Sequence, residues 1–321
     1  MTTTKHSKAF LLAASVVTII FSVTSAALAV EGGLARPISG MQIVPFAGVI
    51  PPEPGFAVSV GEIYYSGSIG GAANVEIAGL LVANVDVKAS FNPITLLYIW
   101  PTPTKEWNFA SAVGFPLAWV ECEATVSLGP FSVRRKDSIF GVYDLVFTPI
   151  IASHHFSKTD HLACNFTFWA PTGSYETGKL ANLSLNNWSF VPGVAYTKII
   201  PEANIELTGI WNMYFYTENP ATLYRSGIQS DLEALAIKRF KNGFGIGFVE
   251  SWIQQVTDDE GTLADRLNGF VEHSFGIGPI VTYSTKIGKR HLDFNARWIH
   301  DFDVSKAVEG DGVSLNMSLK F

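Results

Sequence analysis

The chain has 321 residues, 48% hydrophobic and 13% aromatic but only 16% charged, with a mean hydropathy of +0.24. That apolar weight excludes a disordered protein, and two cysteines exclude a disulfide scaffold or a four-cysteine zinc site. A net charge of -6, with Arg134-Arg135-Lys136 as the one basic run, excludes nucleic acid as a partner.

The chain opens with Lys5 and Lys8, an apolar stretch from Ala9 to Val23, and Ala27-Leu28-Ala29 before Val30. This order predicts a cleaved secretory signal peptide over 1–29 and an exported mature protein. After it, no segment approaches the roughly 20 apolar residues a spanning helix needs, because Ile77 to Val87 is short and broken by Asn84 and Asp86. An exported, hydropathic chain without spanning helices can still satisfy its backbone in lipid as a closed β-barrel. Residues 30–54 carry Pro37, Pro45, Pro51, Pro52 and Pro54, so they read as an irregular leader, either periplasmic or folded into the lumen as a plug.

From Gly55 to Phe321, β-branched and aromatic runs separated by turn residues predict about twelve strands. They fall near 55–66, 87–100, 107–127, 139–151, 160–170, 187–199, 202–217, 227–240, 243–257, 271–286, 290–303 and 312–321. The stretch 67–86 reads equally as a helix, a hairpin or a plug. Connections alternate between short (101–106, 152–159, Pro201, Lys241-Asn242, Ile287 to Lys289) and long (67–86, 128–138, 171–186, 218–226, 258–270, 304–311). That is the layout of a transmembrane antiparallel barrel with periplasmic turns and extracellular loops.

Alternation assigns the faces. Leu292, Phe294, Ala296, Trp298, His300 and Phe302 oppose Asp293, Asn295, Arg297 and Asp301, and Ile205, Leu207, Trp211, Met213 and Phe215 oppose Glu206, Thr208, Asn212, Tyr214 and Tyr216. A carboxylate on the lipid face costs on the order of 2 kcal/mol, so the polar set faces inward. The expected lumen-lining residues are Asp144, Glu206, Asp231, Glu233, Asp293, Arg297, Asp301 and Lys320. Such a lumen passes small solutes and disfavours anions; a purely structural, hydrogen-bonded interior is the competing reading. Trp107, Trp169, Trp188 and Trp252 suit an interfacial girdle. In the last strand, Val313 to Phe321 alternate strictly and end on an aromatic; this resembles the C-terminal signature of bacterial outer-membrane barrels, where the terminal aromatic serves the barrel assembly machinery.

Other clusters carry less. His154 to His161 matches no common zinc spacing and reads as a solvated turn, Thr257 to Gly261 as an acidic surface loop, and Cys122 and Cys164 as unpaired packing residues. No nucleophile elbow, phosphate-binding loop or HExxH is found, so no catalytic, metal or cofactor residue is assigned and an enzyme is not expected.

A run of short motifs adds a family. Phe140-Gly-Val-Tyr-Asp144-Leu with Thr148-Pro149 is followed by Ala170-Pro-Thr-Gly-Ser-Tyr175, Asn186-Asn-Trp188 and Pro192-Gly193. Asn219-Pro220, Tyr224-Arg-Ser-Gly227 with Asp231, Gln254-Gln-Val-Thr-Asp-Asp259 and Gly278-Pro279 complete it. In that order they resemble the outer-membrane proteins of the putative meta-pathway of phenol degradation family; Tyr143 stands where a glycine is usual. The resemblance implies an outer-membrane barrel presumed to pass aromatic or other hydrophobic compounds inward. The expectation is therefore an outer-membrane channel for passive uptake of such solutes, the alternatives being a structural, adhesive or sensory barrel and a general porin.

Overall fold

A computed structural model describes residues 36–70, 74–128, 131–266, 271–288 and 290–321. The expected signal peptide and the first residues of the leader lie outside them. Fourteen strands are described: β1 (Gly55–Ile69), β2 (Val75–Ile77), β3 (Leu80–Ile99), β4 (Trp107–Leu128), β5 (Phe131–Val142), β6 (Leu145–His155), β7 (Asp160–Ala170), β8 (Ser189–Ile200), β9 (Ile205–Tyr216), β10 (Gln229–Arg239), β11 (Phe244–Gln255), β12 (His273–Ile287), β13 (Arg290–Ser305) and β14 (Glu309–Lys320). One short helix, α1 (Thr262–Arg266), sits in the loop before β12.

Each strand pairs antiparallel with its neighbour, β14 returns to β1, and β3 pairs with both β1 and β4, so the sheet closes. β5 and β6 together pair along β4 as one stave, and β2 only adds an arm to β3. The result is a closed transmembrane barrel of twelve staves. Closure leaves no unpaired edge in lipid, which is what makes an all-strand fold viable there. Alternation does the rest: Leu207, Trp211, Phe215, Ile246, Phe248, Trp298, Phe302, Leu315 and Met317 are exposed outward, while Glu206, Thr208, Ile210, Tyr214 and Tyr216 between them are buried.

Two expectations about connections change. The ambiguous stretch 67–86 is a hairpin: β1 runs on to Ile69, and β3 starts at Leu80 with a bulge at Asn84, whose φ is 50°. The long loop expected at 128–138 is instead largely strand: β5 begins at Phe131, which pairs with Leu128. Its charges face acidic neighbours across the sheet: Arg134 Nε donates to Glu123 at 2.9 Å and also meets Asp86, and Lys136 lies 2.9 Å from Glu121. β3, β4 and β5 thus rise as a wall beyond the end of β7, which stops at Ala170 opposite Leu145. The loop 171–188 folds against that wall, with Leu180 and Leu183 buried and Leu180 N–H donating to Asp137 at 2.9 Å.

A candidate transport site inside the barrel

Residues 36–54 run down the interior from the long-loop end to the short-turn end. Their prolines prevent strand pairing, and successive turns such as Met41 N–H to Ile38 O (3.0 Å) and Val49 N–H to Phe46 O (2.8 Å) leave other amides without local acceptors. A buried amide must find an acceptor, and inward-facing side chains provide them. Glu233 accepts from Ile43 N–H at 2.7 Å and Gln42 N–H at 3.3 Å, Glu206 from Phe46 N–H at 2.6 Å, and Thr197 Oγ1 from Gly48 N–H at 3.0 Å. In the other direction Arg297 Nη1 donates to the carbonyls of Gly40 (2.8 Å) and Ile43 (2.7 Å), and Ser153 Oγ to that of Gly48 (2.8 Å). Gly48 is required by proximity: a Cβ there would come within 2.8 Å of Thr197 N and 2.9 Å of His161 O.

At the long-loop end, Arg36 lies fully buried 3.1 Å from Asp144, donates to Ser189 Oγ at 2.5 Å and stacks 5.1 Å from the Trp169 ring. Asp144 also accepts from Gly173 N–H (3.0 Å) and Leu185 N–H (3.3 Å), so one ion pair ties the leader to the loop 171–188. Between leader, loop and wall is a cavity of about 320 Å³. One side carries Phe91, Tyr143 and Trp169, whose rings meet edge to face at centroid separations of 5.3 and 6.3 Å. Ile38, Val87 and Val308 supply apolar surface, and Glu272 is the deeply buried acid among its walls alongside Asp301.

Of the eight residues expected to face inward, Asp144, Glu206, Asp231, Glu233, Arg297 and Asp301 are buried. Four of them, Asp144, Glu206, Glu233 and Arg297, hold the leader; Asp301 accepts from Tyr65 Oη at 2.7 Å and Asp231 from Asn212 Nδ2 at 3.1 Å. The other two are set apart. Asp293 shares a face with Arg297 but is exposed near the short-turn end, taking Ser284 Oγ at 2.6 Å, and Lys320 pairs with Glu53 at 3.4 Å. Phe321 donates its N–H to Phe56 O at 2.8 Å and receives Arg290 over its ring at 4.8 Å.

Four smaller readings are corrected. Trp169 points inward with Thr167 and Asn165, so it belongs to the cavity and not to a girdle. The His cluster is a solvated turn only at its centre, Phe156 to Lys158: His155 Nδ1 and His161 Nδ1 lie 2.6 Å apart, and His155 Nε2 reaches Ile50 O at 3.1 Å, so the pair packs on the leader. Asp259 is no surface acid but a buried clasp that accepts from Gly227 N–H at 2.6 Å, Gln255 Nε2 at 2.7 Å and Tyr224 Oη. Cys122 is buried whereas Cys164 is exposed on the outer face. Sequence reasoning passed over Arg36, although it is the only basic residue between Lys8 and Lys88 and hence the only cation an internal leader could offer. It also passed over Glu272, which carries no pattern signal.

With this geometry in hand, comparison with known proteins is specific. Residues 68–317 match the model of the family described as "Putative MetA-pathway of phenol degradation". Among solved structures, the chain resembles the COG4313 outer membrane channel from Pseudomonas putida F1, at 14% identity and a TM-score of 0.68, covering 87% of this chain and all of that one. It also overlays on a FadL homologue from Pseudomonas aeruginosa (10% identity, TM-score 0.43, 92% and 98% covered) and on the translocator domain of the autotransporter NalP from Neisseria meningitidis (10%, 0.44, 83% and 88%). These likenesses are ones of fold. No curated protein matches the sequence.

Proposed function

Because the chain belongs to the family described as "Putative MetA-pathway of phenol degradation", we propose that it is a bacterial outer-membrane channel for the passive entry of small hydrophobic or aromatic compounds. The observation that carries this reading is the cavity under the long loops. Its walls are largely apolar and carry three aromatic rings, whereas the apolar surface elsewhere in the barrel, around Ile210, Ile237 and Ile280, is already covered by Met41 and Ile43 of the leader. A volume of about 320 Å³ is roughly twice the ~150 Å³ apolar cavity that accepts benzene, so one- and two-ring solutes fit. A general porin has no use for such a pocket, and no catalytic chemistry is assigned to it.

In this reading residues 1–29 are removed on export, Phe321 is presented to the barrel assembly machinery, and the long loops face outward. Asp144, Glu206, Asp231, Glu233, Asp293, Arg297, Asp301 and Lys320 then line the route, four of them closed off by the leader in the resting state. The docked leader is also the observation that favours a second reading, a structural or sensory barrel that passes nothing. Liposomes separate the two. Proteoliposomes should take up naphthalene faster than protein-free vesicles while excluding glucose and showing little ion current; equal naphthalene rates with and without protein would refute transport.

A further inference from the structure

The cavity's largely apolar walls also carry three charged side chains, Arg36, Asp301 and Glu272. Glu272, in the loop before β12, is 2% exposed and lines the cavity. Its Oε1 accepts from Gln229 Nε2, but its Oε2, also buried, has no hydrogen-bond partner. An unsatisfied buried carboxyl oxygen is costly, and on a residue that lines a cavity it marks where a ligand's polar group can reach a partner. Burial lifts the Glu272 carboxyl to about 8, against the donation from Gln229. Near neutral pH the group is therefore largely the uncharged acid, able both to donate and to accept. A ligand hydroxyl has the same two capacities. A ligand carboxylate or ammonium would bring a full charge into largely apolar walls, whose one cation, Arg36, is already paired with Asp144.

Resting on the channel reading above, we infer that the cavity is a binding site for an uncharged, hydroxyl-bearing one- or two-ring aromatic solute, its hydroxyl on Glu272 Oε2 and its ring among the aromatic and aliphatic walls. Phe91, Tyr143 and Trp169 already pack edge to face, the arrangement a further ring extends. Glu272 thus acts as the selector of the polar group, and the aromatic wall as the selector of the ring.

The test uses the full mature chain in detergent, with 2-naphthylmethanol, 2-methylnaphthalene and 2-naphthoate as ligands sharing one ring system. Binding is read from Trp fluorescence, and uptake from proteoliposomes. Glu272→Leu should weaken 2-naphthylmethanol about tenfold, the loss of one buried hydrogen bond, and leave 2-methylnaphthalene unchanged or tighter. Glu272→Gln, which keeps a hydrogen-bonding group at the same place and guards against misfolding of the leucine variant, should stay within about threefold of wild type for the alcohol. Wild type should bind the naphthoate at least about tenfold more weakly than the alcohol. Equal effects of Glu272→Leu on alcohol and hydrocarbon, or none on either, would overturn the inference while uptake of both solutes kept the channel reading intact. Saturable alcohol binding that needs Glu272, without uptake of any solute, would do the reverse. Neither binding nor uptake would sink both.

Discussion

Replacing Glu233 by glutamine tests whether the leader closes the barrel. The carboxylate of Glu233 holds two leader amides, Ile43 at 2.7 Å and Gln42 at 3.3 Å, and lies in the same buried group as Arg297, which grips two leader carbonyls. Glutamine has nearly the same shape, so the barrel should assemble. It keeps one acceptor oxygen, but its NH₂ must then face an N–H. Leaving a buried amide unsatisfied costs about 1–3 kcal/mol; taking about 2 kcal/mol, the undocked fraction of the leader should rise about 30-fold. Glu206 anchors Phe46 at a separate point, so Glu206→Gln added to it should raise that fraction further. Single-channel recording in a planar bilayer reads the opening, and limited proteolysis reads whether residues 36–52 have become accessible. A correctly folded Glu233→Gln barrel with wild-type open probability and an uncut leader would refute the idea that this carboxylate holds the plug.

Three further outcomes are expected. Arg36→Ala leaves Asp144 buried without its cation, a change that costs about 3 kcal/mol, and should expose the loop 171–188 to protease; Asp144→Asn in the same chain should restore part of the protection, and no rescue would argue against the pair. Gly48→Val drives a side chain into the backbone at Thr197 and His161, so cleavage within the leader should increase as much as for Glu233→Gln, while Gly70→Ala, whose Cβ would meet nothing within 4 Å, should not change it. Burial lifts Asp259 from 3.8 to about 7 despite its three donors. The folded loop then binds that proton more tightly than the unfolded chain, so the clasp is strongest below about pH 4 and loses stability as pH rises through 7. Hydrogen exchange of the Gly227 amide, corrected for intrinsic rate, should therefore be faster at pH 8 than at pH 5; the opposite order would show that the acid is ionised in place.

The barrel itself was open to reading because its physics is local. In β9 the lipid face and the interior face are separated by a single residue step, so Leu207, Trp211 and Phe215 against Glu206, Thr208 and Tyr214 reveal both at once. The part of the wall at 131–138 escaped notice for a complementary reason. Arg134, Arg135, Lys136 and Asp137 are consecutive charges without alternation; the acidic partners of Arg134 and Lys136 sit on β3 and β4, and without those partners the run looks like a solvated loop. Trp169 was misplaced because an indole near a strand end serves a girdle or a cavity equally well, and only the parity of β7, which groups it with Thr167 and Asn165, decides between them.

The leader shows where that kind of inference stops. Parity tells which way Glu206, Glu233 and Arg297 point but not what occupies the space they point into, since water and a folded peptide satisfy a carboxylate alike. The occupant here is 190 residues away in sequence from the acid that holds it, and what Glu233 recognises is the Ile43 backbone amide, which every residue but proline has. The one local trace is negative. Five prolines in 30–54 forbid strand pairing, so any buried part of that segment must borrow acceptors from elsewhere. The acids able to lend them are those alternation had already turned inward, Glu233 midway along β10 and Glu206 at the short-turn end of β9, whereas Asp293 remains in solvent. A proline-punctuated leader ahead of a barrel with inward carboxylates is thus a sequence pattern for an internal plug, and the two halves of the pattern have meaning only together.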